Sequence, residues 1–322
     1  MIQTENLSKK FDNFIAVNQV NLSINSGEVL ALLGPNGAGK TTTLRMLTSV
    51  LRPTSGWAKV AGFDVVTQAA EVRASVGILT EQHGLYGRMS AQEYLDFFGQ
   101  IYRMQSQTRQ KRTDQLLAQF GLAEVRKQKI GEYSKGMRQK LALARALYHD
   151  PPVLLMDEPT SAMDPESARL VRDAIHGLSS AQRTIIVCTH NLAEAEELAD
   201  KIAIIQHGRI IISGTVSDLK NLLLGAPQFE IHLGASIDEQ LLDLPDPARM
   251  LRHGEDWIIY QTDDPRHTNP QVVQYLMEQG IPIVSLSEIP RSLEKVYLQA
   301  VSGENNSGNV TQQDQAHVLG GD

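Results

Sequence analysis

Apolar positions along the chain change period several times, and each change marks an element. "VNQVNLSIN" alternates and "EVLALLG" runs apolar over a strand's length. "WAKVAGFDV" and "ASVGIL" follow with glycine punctuation, which predicts a mixed, partly antiparallel start. The period then turns helical: "SAQEYLDFFGQIYRM" opens with Ser90 and Glu93 at capping-box spacing and carries Leu95, Phe98 and Tyr102 at helical spacing. Helical patterning continues to about Asp150. Two apolar runs, "PVLLM" and "TIIVC", each followed by polar residues and a helical pattern, read as buried parallel strands. That is α/β architecture.

Beyond about Lys220 the order becomes strand, helix, two strands joined at "HGED", helix, strand and a final helix, which predicts a small α+β, ferredoxin-like domain. The expected organisation is a first domain over 1–220 with a helical subdomain at about 85–150, and a second domain over 227–301. A Gly/Asn/Gln-rich tail over 302–322 lacks apolar periodicity and is expected to be disordered.

Composition narrows the class. The 322 residues are 42% hydrophobic, enough for an ordinary core, and the formal net charge of −7 gives no bulk electrostatic case for nucleic acid. No nucleic-acid partner is expected. One cysteine, Cys188, forbids an intramolecular disulfide and sits in an apolar run as a small core residue. The N-terminus carries no apolar leader, and no run approaches the roughly 18 apolar residues needed to span a membrane, so a cytosolic chain is expected.

The chemistry begins at "GPNGAGKTT", between a strand-like and a helix-like run. Its spacing fits G-x-x-x-x-G-K-[ST] with Gly34, Gly39, Lys40 and Thr41 in register. Glycines let several backbone N–H groups turn inward, and the helix N-terminus adds partial positive charge, so the loop is an anion cradle. Lys40 then reaches the β/γ-phosphates, Thr41 ligates Mg²⁺, and Gly37 and Gly39 allow close backbone approach. The strands ending at Met156 and Cys188 bring "DEPT" and "TH" to the same rim, beyond the carboxyl ends of the sheet.

Four motifs, the phosphate loop, "YSKGMRQKLALARAL", "VLLMDEPTSAMD" and "VCTH", stand in one order along the chain. Together they resemble the nucleotide-binding subunit of an ATP-binding cassette (ABC) transporter. The resemblance implies a P-loop cassette with a RecA-like core, an antiparallel β-subdomain and a helical subdomain that docks a membrane permease. It also implies ATP and Mg²⁺ as ligands, with Gly34, Pro35, Asn36, Gly37, Ala38, Gly39, Lys40, Thr41 and Thr42 around the phosphates. Asp157 holds Mg²⁺ with Thr41, and Glu158 polarises the attacking water. His190 becomes the histidine that contacts the γ-phosphate, although a lone histidine is more often structural.

"YSKGM" departs from the family's L-S-G-G-Q signature at three positions but keeps Ser134 and Gly136. Ser134 also suits a helix N-cap. The resemblance has the signature of one subunit complete the phosphate site of a second, head to tail, with Asp164 on the loop that crosses the interface. Asp164 equally suits an N-cap before Pro165. The family's Mg²⁺-contacting glutamine falls here on Glu81, with Gln82 as the alternate. Phe11 sits where the family stacks an aromatic on adenine; the lesser alternative is a core residue of the small β-subdomain.

The implied function is an ATPase subunit on the cytoplasmic face of the membrane, peripheral to a separately encoded permease. The degenerate signature and the C-terminal appendage resemble exporters. The rival is a soluble ABC-class ATPase that remodels ribosomes or DNA. Against it, the chain carries neither a second cassette nor a long coiled-coil insertion.

Overall fold

The computed structural model describes residues 1–80, 84–161, 163–179, 183–236 and 243–306. The chain divides into two compact units, Met1–Val216 and the residues from Ser217 onward.

In the first unit, β1 (Ile2–Phe11), β2 (Phe14–Ile24), β4 (Ser55–Val60) and β5 (Phe63–Asp64) form an antiparallel sheet in the order β2-β1-β4-β5. The expected strand "WAKVAGFDV" is thus two strands. Ala61 (φ 54°) and Gly62 (φ 87°) adopt left-handed backbone and turn the chain back, pairing Val60 with Phe63. Likewise only the last four residues of "ASVGIL" are strand, since Ala74 and Ser75 end helix α2 (Ala69–Ser75) before β6 (Val76–Leu79).

The second sheet has the order β10-β9-β3-β8-β7-β6, with β3 (Val29–Leu33), β7 (Val153–Asp157), β8 (Thr184–Thr189), β9 (Lys201–Gln206) and β10 (Arg209–Thr215). All its pairings are parallel except that of β10 with β9. Every residue of β3, β7 and β8 is buried, as expected of parallel strands covered on both faces. Leu33 pairs with Thr189, and Asp157 with Cys188, so this register brings the three strands to an end at one level. Helices α1 (Lys40–Leu47), α6 (Pro165–Ser179) and α7 (Leu192–Leu198) follow β3, β7 and β8 in turn. Cys188 is buried as expected, and burial pushes its thiol well up, out of reach of thiolate chemistry near neutral pH.

The helical subdomain contains α3 (Ala91–Ile101), α4 (Ser106–Gln119), a short 3₁₀ turn and α5 (Lys135–Ala146). The expected capping box at α3 forms: Glu93 N donates to Ser90 Oγ at 3.3 Å, and Ser90 N to the Glu93 carboxylate at 2.8 Å. Donation from Ser90 N and from Ser90 Oγ holds the Glu93 carboxyl below the usual carboxylate range. Tyr94 and Tyr148 are fully buried here, and the Tyr148 hydroxyl shares a 2.9 Å hydrogen bond with Thr113. Arg112 donates to the carbonyls of Leu147 and Tyr148, satisfying the open end of α5.

The second unit contains α8 (Val216–Leu224) at its start, then β11 (Gln228–Leu233), β12 (Arg249–His253), β13 (Trp257–Gln261), α9 (Pro265–Glu278), β14 (Ile283–Glu288) and α10 (Leu293–Asn306). Its antiparallel sheet runs β12-β13-β11-β14, the strand order of a ferredoxin-like fold. Phe229, Ile231 and Leu233 alternate into a core with Val272 and Leu276 of α9. The helix expected over "SIDEQLLDL" falls mostly on 237–242, outside the described residues. The final helix continues to Asn306, beyond its expected end at 301, and 307–322 lie outside the described residues.

Replacing Ser90 by Ala removes one arm of the capping box at about 1 kcal/mol, which is roughly a fivefold faster amide exchange at Glu93. Hydrogen exchange resolved to that residue checks it.

Candidate functional site

The phosphate loop, residues 34–39, leaves β3 and enters α1 under tight steric control. Gly34 N donates to Thr189 O at 3.2 Å, tying the loop to the end of β8. A Cβ on Gly34 would lie 2.2 Å from the carbonyl oxygen of Ile205. At Gly39 the backbone has φ 108°, and a Cβ would lie 2.6 Å from the Ala16 oxygen, so only glycine fits. Lys40 is buried, and its Nζ donates to Gly34 O at 2.6 Å and Pro35 O at 3.3 Å, with Glu158 Oε1 3.6 Å away.

The two acids of "DE" stand in different surroundings. Asp157 ends β7, buried, and accepts from Thr41 Oγ1 at 2.7 Å. A hydroxyl and a carboxylate side by side at the phosphate loop are hard oxygen donors, and two protein ligands suit Mg²⁺, which keeps waters and phosphate oxygens for its other positions. The residues present therefore fit that ion. Glu158 follows at φ 52°, left-handed backbone that costs a non-glycine residue of order 1–3 kcal/mol. Its N–H donates to Cys188 O at 2.9 Å, and its side chain, 11% exposed, meets His190 Nδ1 at 2.9 Å. The carboxylate fixes the imidazole ring, which is 54% exposed at the rim.

These groups open on a cavity of about 360 Å³. Of the expected phosphate and metal residues, Pro35, Asn36, Gly37, Gly39, Lys40, Thr41, Thr42, Asp157, Glu158 and His190 line it. Gly34 and the buried Ala38 shape the loop from behind without lining. Phe11 is not part of this lining. Its hairpin partner Phe14 lines the cavity instead, while Phe11 lies beside the Lys9 ammonium, 5.1 Å from its ring. The turn at Asp12 and Asn13 sets the two aromatics opposite each other. Ala16 and Ser161 also line the cavity; Ser161 stands inside "VLLMDEPTSAMD" but was not singled out there, and no motif marked Ala16.

Ser134, Gly136 and Asp164 are absent from this lining. Ser134 caps α5, its Oγ accepting from Met137 N at 3.2 Å. Asp164 accepts from Ser167 N at 2.8 Å, and that bond holds its carboxyl below the usual carboxylate range. Glu81 and Gln82 lie outside the described residues.

A phosphate loop at the end of β3, with Asp157 ending β7 and Glu158 directly after it on the same rim of a largely parallel sheet, is the arrangement of a P-loop nucleotide hydrolase. A family model described as "ABC transporter" matches residues 17–161, and one described as "ATP-binding protein DrrA1-3-like, C-terminal domain" matches residues 214–301. The chain is 41% identical over 224 residues to the ABC transporter ATP-binding protein NatA of Bacillus subtilis (strain 168), covering 68% of this chain and 91% of that one. Against the linearmycin resistance ATP-binding protein LnrL of the same organism it is 32% identical over 306 residues, covering 92% and 97%. A cassette solved as a dimer in a post-hydrolysis state with ADP and Pi superposes with a TM-score of 0.62 at 26% identity, covering 67% of this chain and 99% of that one. This chain belongs to the ABC transporter ATP-binding proteins, and it is an ABC-type ATPase subunit.

Gly37 has φ 80°, but a Cβ there meets nothing within 4 Å. Gly37→Ala therefore carries only the left-handed backbone cost of about 1–2 kcal/mol and keeps nucleotide affinity within about tenfold. Gly39→Ala must displace the backbone at Ala16 and is expected to weaken binding by more than about a hundredfold. Titration with a fluorescent ATP analogue separates them.

Proposed function

We propose that two copies of this chain clamp two ATP molecules, hydrolyse them, and drive a separately encoded membrane permease that exports its cargo. The observation that carries the hydrolytic part is Glu158, strained and nearly buried, held between Lys40 and His190 at the mouth of the phosphate loop. In this arrangement the loop amides and Lys40 bind phosphate oxygens, and Thr41 and Asp157 would hold Mg²⁺, which would supply charge neutralisation for the phosphates. Glu158 orients the water, and His190, braced by Glu158, contacts the γ-phosphate. Phe14, with Phe11 across the hairpin, offers the base a stacking face.

Two observations support a composite site. Ser134 and Gly136 do not line the cavity of their own chain, although the signature belongs at a γ-phosphate, and a cassette of this kind has been solved as a dimer. Asp164, exposed on the segment after Glu158, lies on the loop proposed to cross to the partner. For the permease, the helical subdomain offers an aromatic rim. Tyr86, Phe97 and Ile101 are substantially exposed, and Tyr86 and Phe97 pack edge to face at 6.1 Å. Among the described residues no helix is long and apolar enough to cross a membrane. Export is supported by the DrrA-like C-terminal match and by a resistance protein among the relatives. In this reading the chain sits peripherally on the cytoplasmic face.

Glu158→Gln is expected to bind ATP and dimerise while losing at least about a hundredfold in kcat. Wild-type turnover in that variant would remove Glu158 from the chemistry. Phe14→Ala is expected to raise the KM for ATP five- to about a hundredfold through lost stacking, and more than Phe11→Ala does. Steady-state kinetics on both variants decides which aromatic holds the base.

A further inference from the structure

We propose that Glu194 is a positioning residue whose carboxylate clamps the segment after Glu158 to the end of β8, setting the distance between Glu158 and His190. Glu194 lies on α7 and is only 3% exposed. One carboxylate oxygen accepts from Thr160 Oγ1 at 2.5 Å and the other from Thr189 Oγ1 at 2.5 Å. Thr160 stands two residues after Glu158, and Thr189 directly precedes His190. Thr189 Oγ1 also accepts from Asn191 N at 3.0 Å, and Asn191 caps α7 through Ala193 N and Glu194 N. Each arm of the Glu158–His190 pair therefore ends on the same buried group.

Chemistry argues that the clamp is more than packing. Burying a carboxyl is costly, and an apolar side chain of similar size would fill the space more cheaply. Burial pushes the Glu194 carboxyl above the usual carboxylate range, with the nearby Glu158 charge adding to the shift. Both hydroxyl contacts lie at the short distances of charge-assisted bonds, which fix geometry closely. The same loop then runs on through Ser161, which lines the cavity, to Asp164.

This role rests on the reading of Glu158 and His190 as the hydrolytic pair, so Glu158→Gln is measured beside the test variants. The full chain is assayed with Mg²⁺ and ATP, with turnover normalised to titrated ATP sites. Glu194→Ala is expected to lower kcat at least about tenfold with the KM for ATP within about threefold, a split that simple destabilisation of the fold does not give. Glu194→Gln keeps the shape and can bond both hydroxyls, and should restore kcat to within about threefold of wild type. Thr160→Val removes one arm on a partly exposed loop and should fall between, and it decides the matter if Glu194→Ala fails to bind ATP. A variant without the clamp, Glu194→Ala or Thr160→Val, that binds ATP normally and turns over within about twofold of wild type overturns the proposal. If that happens while Glu158→Gln is inactive, only the clamp is wrong; if Glu158→Gln is active, the hydrolytic reading fails first.

Discussion

The first unit is organised around the glycine-rich loop at the end of β3, whose backbone lines the cavity where a polyphosphate fits. The chain holds this loop from three sides. Gly34 is fastened to β8 and Gly39 is wedged against the Ala16 carbonyl. Lys40 reaches back to the loop's own carbonyls. The parallel sheet supplies the anchor, because its register brings the ends of β3, β7 and β8 to one level.

The charged groups obey the same constraint. Lys40, Asp157 and Glu158 are largely removed from water, and an unpaired charge there would cost several kcal/mol. Each is matched: Lys40 by carbonyls and Glu158, Asp157 by Thr41, Glu158 by Lys40 and His190. The site is thus organised by the chain before nucleotide arrives, which is how electrostatic preorganisation accelerates phosphoryl transfer. What one chain does not bring to the cavity is its own signature segment, and that division makes association of two copies part of the proposed cycle.

Much of this was legible in the sequence because the constraints are local. Glycine spacing, a strand before and a helix after mark the phosphate loop; "LLMDE" and "VCTH" mark strand ends by their apolar runs. The capping box at Ser90 and Glu93 was readable for the same reason. Side-chain placement across a hairpin was not: Phe14, which no motif marked, lines the cavity. Nor could residue order show that "WAKVAGFDV" folds back at Ala61, since a non-glycine residue there adopts positive φ under tertiary pressure. Glu194 was invisible for a deeper reason. An acid in "NLAEAEELAD" looks like any solvated helix face, and only the fold reveals that this one points inward to two threonines.

The composite site is the central claim, and complementation tests it most directly. Lys40→Ala disables the phosphate side of a chain and Ser134→Arg disables its signature side, so each variant alone should be inactive. Mixed in equal amounts and allowed to exchange, half the dimers pair one of each, and every such dimer holds one site built from the two intact halves. The account predicts recovery of ATP turnover to at most about a quarter of the wild-type value. No recovery from a mixture shown to contain mixed dimers, or full turnover by Ser134→Arg alone, would contradict it.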